Sequence, residues 1–383
     1  MAKKILHYIL LLAILLGVPY VCCVLSGDDS MLEGVKAFPP RTEDWGAHPE
    51  KLWNFRRPFS WWAFAGLAAF TFFSMRPFVV RALKAAVGGR GKAPAAQTCG
   101  RPFPWWGWMG CVILAAGWIL SWNRFEWFRP LQVQFSYFPL WMGFILIMNA
   151  LVFKRSGRSP MTDHPVAYAA TFPASSLFWW FFEYLNRYVW NWYYLGIADL
   201  SALEYSVYAT ICFASVLPAV TAVAAWLATF SVFDDSVYDG MARVDMRKPG
   251  WNLLLLAISA LGLSGVVFFP DYAYPLLWIS PLAVFVMVQA WLREPCAFDS
   301  FARGNWSIFF RFSVAALVCG LCWETWNWHA YAKWVYAVPW VHRFQIWEMP
   351  ILGFAGYLPF GAECAVVTAW ICPALVAGRR AEA

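Results

Sequence analysis

The stretch SIFFRFSVAALVCGLCWETW (Ser307–Trp326) decides the fold. It runs for 20 residues with two charges, Arg311 near its start and Glu324 near its end. As a helix that length crosses a hydrocarbon core of roughly 30 Å. An earlier stretch, TFPASSLFWWFFEYLNRY (Thr171–Tyr188), is built the same way and also finishes on an acid among aromatic residues.

Eight further apolar runs flank these two: Ile5–Leu25, Phe59–Met75, Trp105–Trp122, Tyr137–Phe153, Leu203–Phe230, Trp251–Phe269, Pro275–Leu292 and Met349–Val376. Ten helices of about 20 residues each would use about 200 residues and leave only short loops. The chain has 383 residues, 61% hydrophobic and 13% charged, a balance that excludes an ordinary soluble domain. The expected class is therefore all-α, a polytopic transmembrane bundle of about ten helices. The net charge of +7 is spread through loops with no basic domain, which argues against a nucleic-acid partner. Six of the ten cysteines, Cys111, Cys212, Cys319, Cys322, Cys364 and Cys372, sit inside apolar runs as small hydrophobes. The pair Cys319 and Cys322 lacks a second CxxC or paired histidines, so neither a metal nor another cofactor is expected.

Lys3 and Lys4 precede the first run, which lacks a small-x-small cleavage site and reads as an uncleaved first helix. With the N-terminus inside, 18 Lys and Arg residues fall on inner segments and 10 on outer ones, with Arg311 at a helix start. The positive-inside rule then places both termini in the cytoplasm and the protein in a bacterial inner membrane. The Gly-, Ala- and Lys-rich segment Val87–Thr98 reads as a flexible linker behind the first two helices.

The remaining eight helices read as two parallel four-helix repeats. Phe138-Pro139-Leu140-Trp141 opens one helix, and Tyr274-Pro275-Leu276-Leu277-Trp278 opens the helix four places on. Glu183-x-x-Asn186 recurs as Glu324-x-x-Asn327, an offset of 141. Beyond it an offset of 144 matches Trp190-Asn-Trp192 to Trp334-Val-Tyr336, Glu204 to Glu348 and Trp226 to Trp370. An even number of helices keeps the two copies in one orientation, related by an axis along the membrane normal, with a cavity expected between them. The division is 1–100 for two helices, an external loop and the linker, 101–245 for the first repeat and 246–383 for the second.

At i and i+3, Glu183 and Asn186 share a helix face, and so do Glu324 and Asn327. Glu204 and Glu348 begin the following helices, and Glu363 lies deeper in the last one. A carboxylate at mid-membrane costs about 2.5–3.5 kcal/mol, so such a group should face a partner or a cavity. Around these acids stand Trp180, Trp190, Trp323, Trp326, Trp334 and Tyr336, aromatic faces that steady a cation by about 0.5–2 kcal/mol each. An acid among tryptophans and away from water suits protonation of an alkene and carbocation chemistry on an isoprenoid. The plainer account is also open: tryptophans belt the membrane interface, helix-end carboxyls and amides bind neighbouring helices, and Glu204 and Glu348 cap helices.

Trp323-Glu324-x-x-Asn327, then Trp334-x-Tyr336, then Leu358-Pro359-x-x-x-Glu363 resemble the lycopene cyclase domain of heterodimeric and fused carotenoid cyclases. That family carries two adjacent acids after Leu-Pro, where this chain has Phe360-Gly361-Ala362-Glu363. The resemblance implies a membrane-embedded isoprenoid cyclase or isomerase without net redox change, acting on a lipid or isoprenoid molecule. Glu324 and Glu363 would be its acids, Glu348 or Glu183 its base, and Asn186 and Asn327 would orient them. Trp323, Trp326, Trp334, Tyr336, Trp180, Trp190 and Glu204 would line the pocket. The alternatives are a non-catalytic membrane protein that binds a lipid or a partner subunit, and a transporter. A transporter calls for polar residues across the bilayer, whereas here they gather toward one side. Nothing in the residues fixes an oligomeric state.

Overall fold

The computed structural model describes residues 9–38, 57–88, 100–128, 131–132 and 137–377. Lys3, Lys4, most of the Gly- and Lys-rich linker and the final arginines lie outside them. The described part of each of the ten apolar runs is mainly helical, although two of them are broken. The long helices are α1 (Ile9–Ser26), α3 (Trp61–Val87), α4 (Trp105–Trp122), α5 (Phe138–Ser156) and α6 (Pro165–Val189), with a short α2 (Asp29–Lys36) after α1. They continue with α7 (Ala202–Phe213), α8 (Val216–Leu227), α9 (Pro249–Phe268), α10 (Ser280–Leu292), α11 (Ser307–Trp328) and α12 (Tyr357–Ile371).

Among the described residues, eight spans are long and apolar enough to cross a membrane, with α7 and α8 together forming one of them. A ninth is bent by 47° between Pro270–Trp278 and α10. α6 falls outside that set, because Ser, Tyr, Glu, Asn and Arg dilute its apolar character, which suits a helix walled in by protein rather than lipid. The chain is an all-α, multi-pass membrane protein.

Lipid-facing and interior helices are easily told apart. In α3 Trp62, Phe70, Phe72 and Phe73 are exposed and only Phe78 is buried. By contrast α8 is buried along nearly its whole length, because it touches α5, α6, α11 and α12. Small residues set the close crossing of α4 and α5. A Cβ on Gly143 of α5 would stand 2.6 Å from the Leu114 nitrogen and 2.8 Å from the Gly110 carbonyl oxygen of α4, so only glycine lets these backbones meet.

Two short strands join the halves. β1 (Trp192–Leu195), after α6, pairs antiparallel with β2 (Lys333–Tyr336), after α11. Trp192 lies opposite Tyr336, Tyr193 opposite Val335, and Tyr194 opposite Trp334. Gly196, with φ +74°, turns the chain away where a Cβ would come within 2.6 Å of the Tyr331 carbonyl oxygen.

This register corrects one sequence match. Trp334-Val335-Tyr336 corresponds to Trp192-Tyr193-Tyr194, not to Trp190-Asn191-Trp192, since each Trp faces the other copy's Tyr across the ladder. Matched this way, a local two-fold axis passes through the Tyr193–Val335 pair. Side chains farther off obey the same exchange. Trp141 at the start of α5 packs on Trp323 of α11, with ring centroids 5.0 Å apart, while Trp278 packs on Phe182 of α6 at 5.1 Å. The copies part company at their last spans: α7 fills one, whereas Ile351–Gly356 is a tight 3-10 turn in the other.

Candidate functional site

The site grows from the two asparagines. Asn186, buried at the end of α6, donates from Nδ2 to the Trp192 carbonyl at 2.8 Å, and its Oδ1 accepts from the Asn191 and Trp192 amides at 2.8 and 3.3 Å. Asn327 on α11 does the same for β2, donating to the Trp334 carbonyl at 2.7 Å and accepting from the Trp334 amide at 2.9 Å. A carboxamide carries both a donor and an acceptor, so one side chain satisfies both polar groups of a strand residue that has just left a helix.

Each strand then returns side chains to the glutamate one helical turn before its asparagine. Trp192 and Tyr194, two apart and so on one strand face, both reach Glu183 Oε1, at 3.0 and 2.5 Å. Trp179 Nε1 adds a third bond to that oxygen at 3.1 Å. In the other copy Tyr336 donates to Glu324 Oε1 at 2.7 Å and takes a bond from Trp334 Nε1 at 2.7 Å. Tyr357, at the start of α12, supplies the second donor to Glu324 Oε1 at 2.9 Å. Both glutamates are buried, and Glu324 Oε2 has no hydrogen-bond partner among the described residues. Each charge-bearing group is thus wrapped in neutral N–H and O–H donors, with no Lys or Arg hydrogen-bonded to it among the described residues.

The tyrosines and tryptophans that hold these acids are also the walls of a cavity of about 160 Å³. Trp179, Trp192 and Tyr194 line it from the first copy, and Trp323, Trp334, Tyr336 and Tyr357 from the second. Trp278 and Tyr137 close it further, and α7 forms a side wall through Tyr205, Tyr208, Ala209 and Cys212. A water needs about 10–15 Å³ of such space, so the cavity has room for about ten waters or a length of hydrocarbon chain. Its aromatic lining favours the hydrocarbon.

The other residues singled out from the sequence are distributed differently. Glu204 is exposed and closes a capping box at the start of α7, its Oε2 accepting from the Ser201 amide at 2.9 Å. Glu348 forms an ion pair with Lys333 at 2.5 Å and is not among the cavity's lining residues. Glu363 is fully buried but faces elsewhere: its Oε1 accepts from the Leu282 amide at 3.0 Å, capping the first turn of α10, and Oε2 has no partner among the described residues. Glu324 and Glu363 therefore do not share one cavity.

Of the aromatic candidates, Trp323, Trp334 and Tyr336 line the cavity, but Trp326, Trp180 and Trp190 do not. Trp326 is packed against Trp141, with centroids 4.8 Å apart. Trp180 donates to Thr210 Oγ1 at 3.0 Å, and Trp190 ends α6 in a left-handed turn at φ 51° and stacks on Tyr193. Arg187, next to Asn186 at the end of α6, is buried at 7% exposure.

The residues assigned to the pocket from the sequence did not include Trp179, Trp192, Tyr194, Tyr205, Tyr357 or Trp278, all of which line the cavity. The signal for Tyr194 was present, since Trp-x-Tyr occurs at Trp192 and again at Trp334; the wrong register hid it. Tyr357, Tyr205 and Trp278 come from distant elements, and no spacing marks them. No group of three or more His, Cys, Asp or Glu side chains is arranged to hold a metal ion among the described residues. No family model, curated protein or solved structure matches the chain.

Proposed function

We propose that the protein takes an isoprenoid or similar elongated apolar molecule into the aromatic cavity between its two copies and isomerises or cyclises it without net redox change. The observation that carries this reading is the convergence of two cavity-wall hydroxyls, Tyr336 and Tyr357, on one oxygen of the buried Glu324. A hydroxyl both donates and accepts, so either tyrosine can relay a proton between the Glu324 carboxyl and a carbon atom of the ligand. Trp323, Trp334 and Trp192 offer ring faces to the positive charge that forms between the two proton transfers. Glu183, through Tyr194, is the matching group for taking a proton back. Asn327 and Asn186 position the strands that carry these tyrosines.

Expression in cells that accumulate linear isoprenoids, followed by mass spectrometry of the extracted lipids, tests this directly. A new isomer of unchanged mass is the expected product, lost in Glu324→Gln and strongly reduced in Tyr336→Phe. Unchanged lipids across a broad panel of linear isoprenoids would refute catalysis.

A second reading, a membrane protein that binds a lipid without transforming it, is favoured by Glu183. Its Oε1 already has three donors, an arrangement that serves as a structural joint without any chemistry. Retention of an unaltered isoprenoid by the purified protein would select it.

The excess of Lys and Arg on one set of segments supports a bacterial inner membrane with both termini cytoplasmic. Reporter fusions at residue 383 and within 28–58 test this, the first active inside and the second outside.

A further inference from the structure

A second cavity lies at the opposite ends of the same helices. α6 and α11 finish beside the aromatic cavity and start beside an open cleft of about 390 Å³. Its walls come from both copies: Arg158 and His164 on the α5–α6 connection, Thr229 after α8, Arg311 on α11 and Val376 after α12. Charged and hydroxyl-bearing side chains replace most of the aromatic rings of the first cavity. Arg311 shows what such a cleft would hold. Its side chain is 3% exposed, and burying a guanidinium is costly unless its donors are met. It has five N–H donors, yet among the described residues its one hydrogen bond runs from Nη2 to the Val376 carbonyl at 2.7 Å. Asp235 stands 3.6 Å from Nη1, beyond hydrogen-bond reach. Nε and Nη1 keep some accessible surface, and the bond to Val376, itself a wall residue, holds the guanidinium against the cleft.

We propose that this cleft binds a phosphate group, carried by a lipid headgroup or by a free phosphorylated compound. His164 adds a ring that makes no hydrogen bond among the described residues. Arg158 pairs with Asp163 at the rim, and Arg155 lies behind Thr229, donating to its Oγ1 at 2.7 Å. Three guanidinium groups thus stand against two carboxylates, Asp163 and Asp235, which leaves the cleft net positive. A phosphate accepts donors from several directions, and Arg311, Arg158 and His164 stand on separate segments around one space. The volume, room for about thirty waters, admits a phosphate with a glycerol or sugar behind it. A clamp between Val376 and Asp235 would account for burying Arg311. It would leave unexplained the unused donors, the unpartnered imidazole and the open volume beside them. The site does not depend on the aromatic cavity, which lies at the other membrane face.

Thermophoresis on the purified full-length protein tests this with two probes, sodium pyrophosphate in one arm and mixed micelles of dioleoyl phosphatidic acid in the other. Phosphatidylcholine micelles serve as the blank. The wild type should bind at least one probe and ignore the blank. A response to phosphatidic acid alone names a lipid headgroup as the source, and a response to pyrophosphate alone names a soluble compound. Arg311→Gln should weaken binding about tenfold or more, the worth of one charge-assisted hydrogen bond. Because Arg311 also holds Val376, the double variant Arg158→Gln with His164→Ala repeats the test at the cleft's rim, where it leaves that bond in place, and should show a similar loss. No binding in either arm, or undiminished binding by the folded double variant, overturns the proposal.

Discussion

Asn327→Leu is the most informative single perturbation of the site's frame. Leucine matches asparagine closely in size and branching, so the change removes polarity with little change in packing. Two bonds are lost, from the Trp334 amide at 2.9 Å and to the Trp334 carbonyl at 2.7 Å. Leaving a buried backbone group unpaired costs about 1–3 kcal/mol. Trp334 is only partly buried, so the lower end applies to each group, and the pair should cost about 2–3 kcal/mol. Unfolding in mixed micelles with rising SDS, followed by tryptophan fluorescence, measures this. Thr325→Ala is the control. It sits on the same turn, donates to the Leu321 carbonyl of its own helix, and should change stability by less than about 0.5 kcal/mol. A second arm uses Tyr336→Phe alone and combined with Asn327→Leu. If the asparagine acts by holding the strand that presents Tyr336, the two changes should be non-additive by about 0.5–3 kcal/mol. A loss under about 0.5 kcal/mol in Asn327→Leu, or strict additivity in the double variant, would show that β2 keeps its place without the asparagine.

The remaining predictions probe other parts of the molecule. Gly143→Leu should destabilise the fold by about 3 kcal/mol or more, because its first side-chain atom already meets the backbone of α4, and fluorescence-detected size exclusion should show loss of the folded peak. Glu204→Ala opens the capping box whose N-cap is Ser201 and should lower the melting temperature only slightly while leaving any product pattern intact, which thermal unfolding and isoprenoid analysis check. His342 lies in the loop that follows β2, where burial pushes its imidazole down from 6.5 to about 4. Its contribution to holding that loop is fully present above pH 6.5 and is lost as pH falls toward about 4, since the unfolded loop binds a proton first. Hydrogen exchange across 337–347 should quicken between pH 7 and pH 4.5, after correction for intrinsic rates, and His342→Phe should flatten the response.

The ten runs, the Glu-x-x-Asn repeat and three of the cavity's aromatics were legible because hydrophobic length and residue spacing are properties of one segment. The breaks within Pro275–Leu292 and Leu203–Phe230 were not, since a bent or interrupted span has nearly the same composition as a straight one. Glu363 shows a different limit. Its depth in an apolar helix marked it as a buried acid, but whether a buried acid faces a cavity or a neighbouring helix end depends on rotation about the helix and on where α10 begins. The register of Trp192-Tyr193-Tyr194 against Trp334-Val335-Tyr336 was within reach. Matching tryptophans at a fixed offset favoured the wrong pair, whereas requiring that each asparagine serve the strand beside it selects the right one. Tyr205 and Tyr357 enter the site only through the packing of α7 and α12, which no local pattern encodes.

If the aromatic cavity holds an apolar ligand, filling the cavity should expel it. Ala209 lines the α7 wall and is the smallest side chain there, so Ala209→Trp would occupy much of the space while keeping the helix. Wild-type protein and Ala209→Trp should be purified in parallel from an isoprenoid-accumulating host and their bound lipids quantified by mass spectrometry. Near-stoichiometric isoprenoid on the wild type, and at least a tenfold drop on a folded Ala209→Trp, is the predicted result. Equal isoprenoid on both proteins, or none on the wild type, would contradict it.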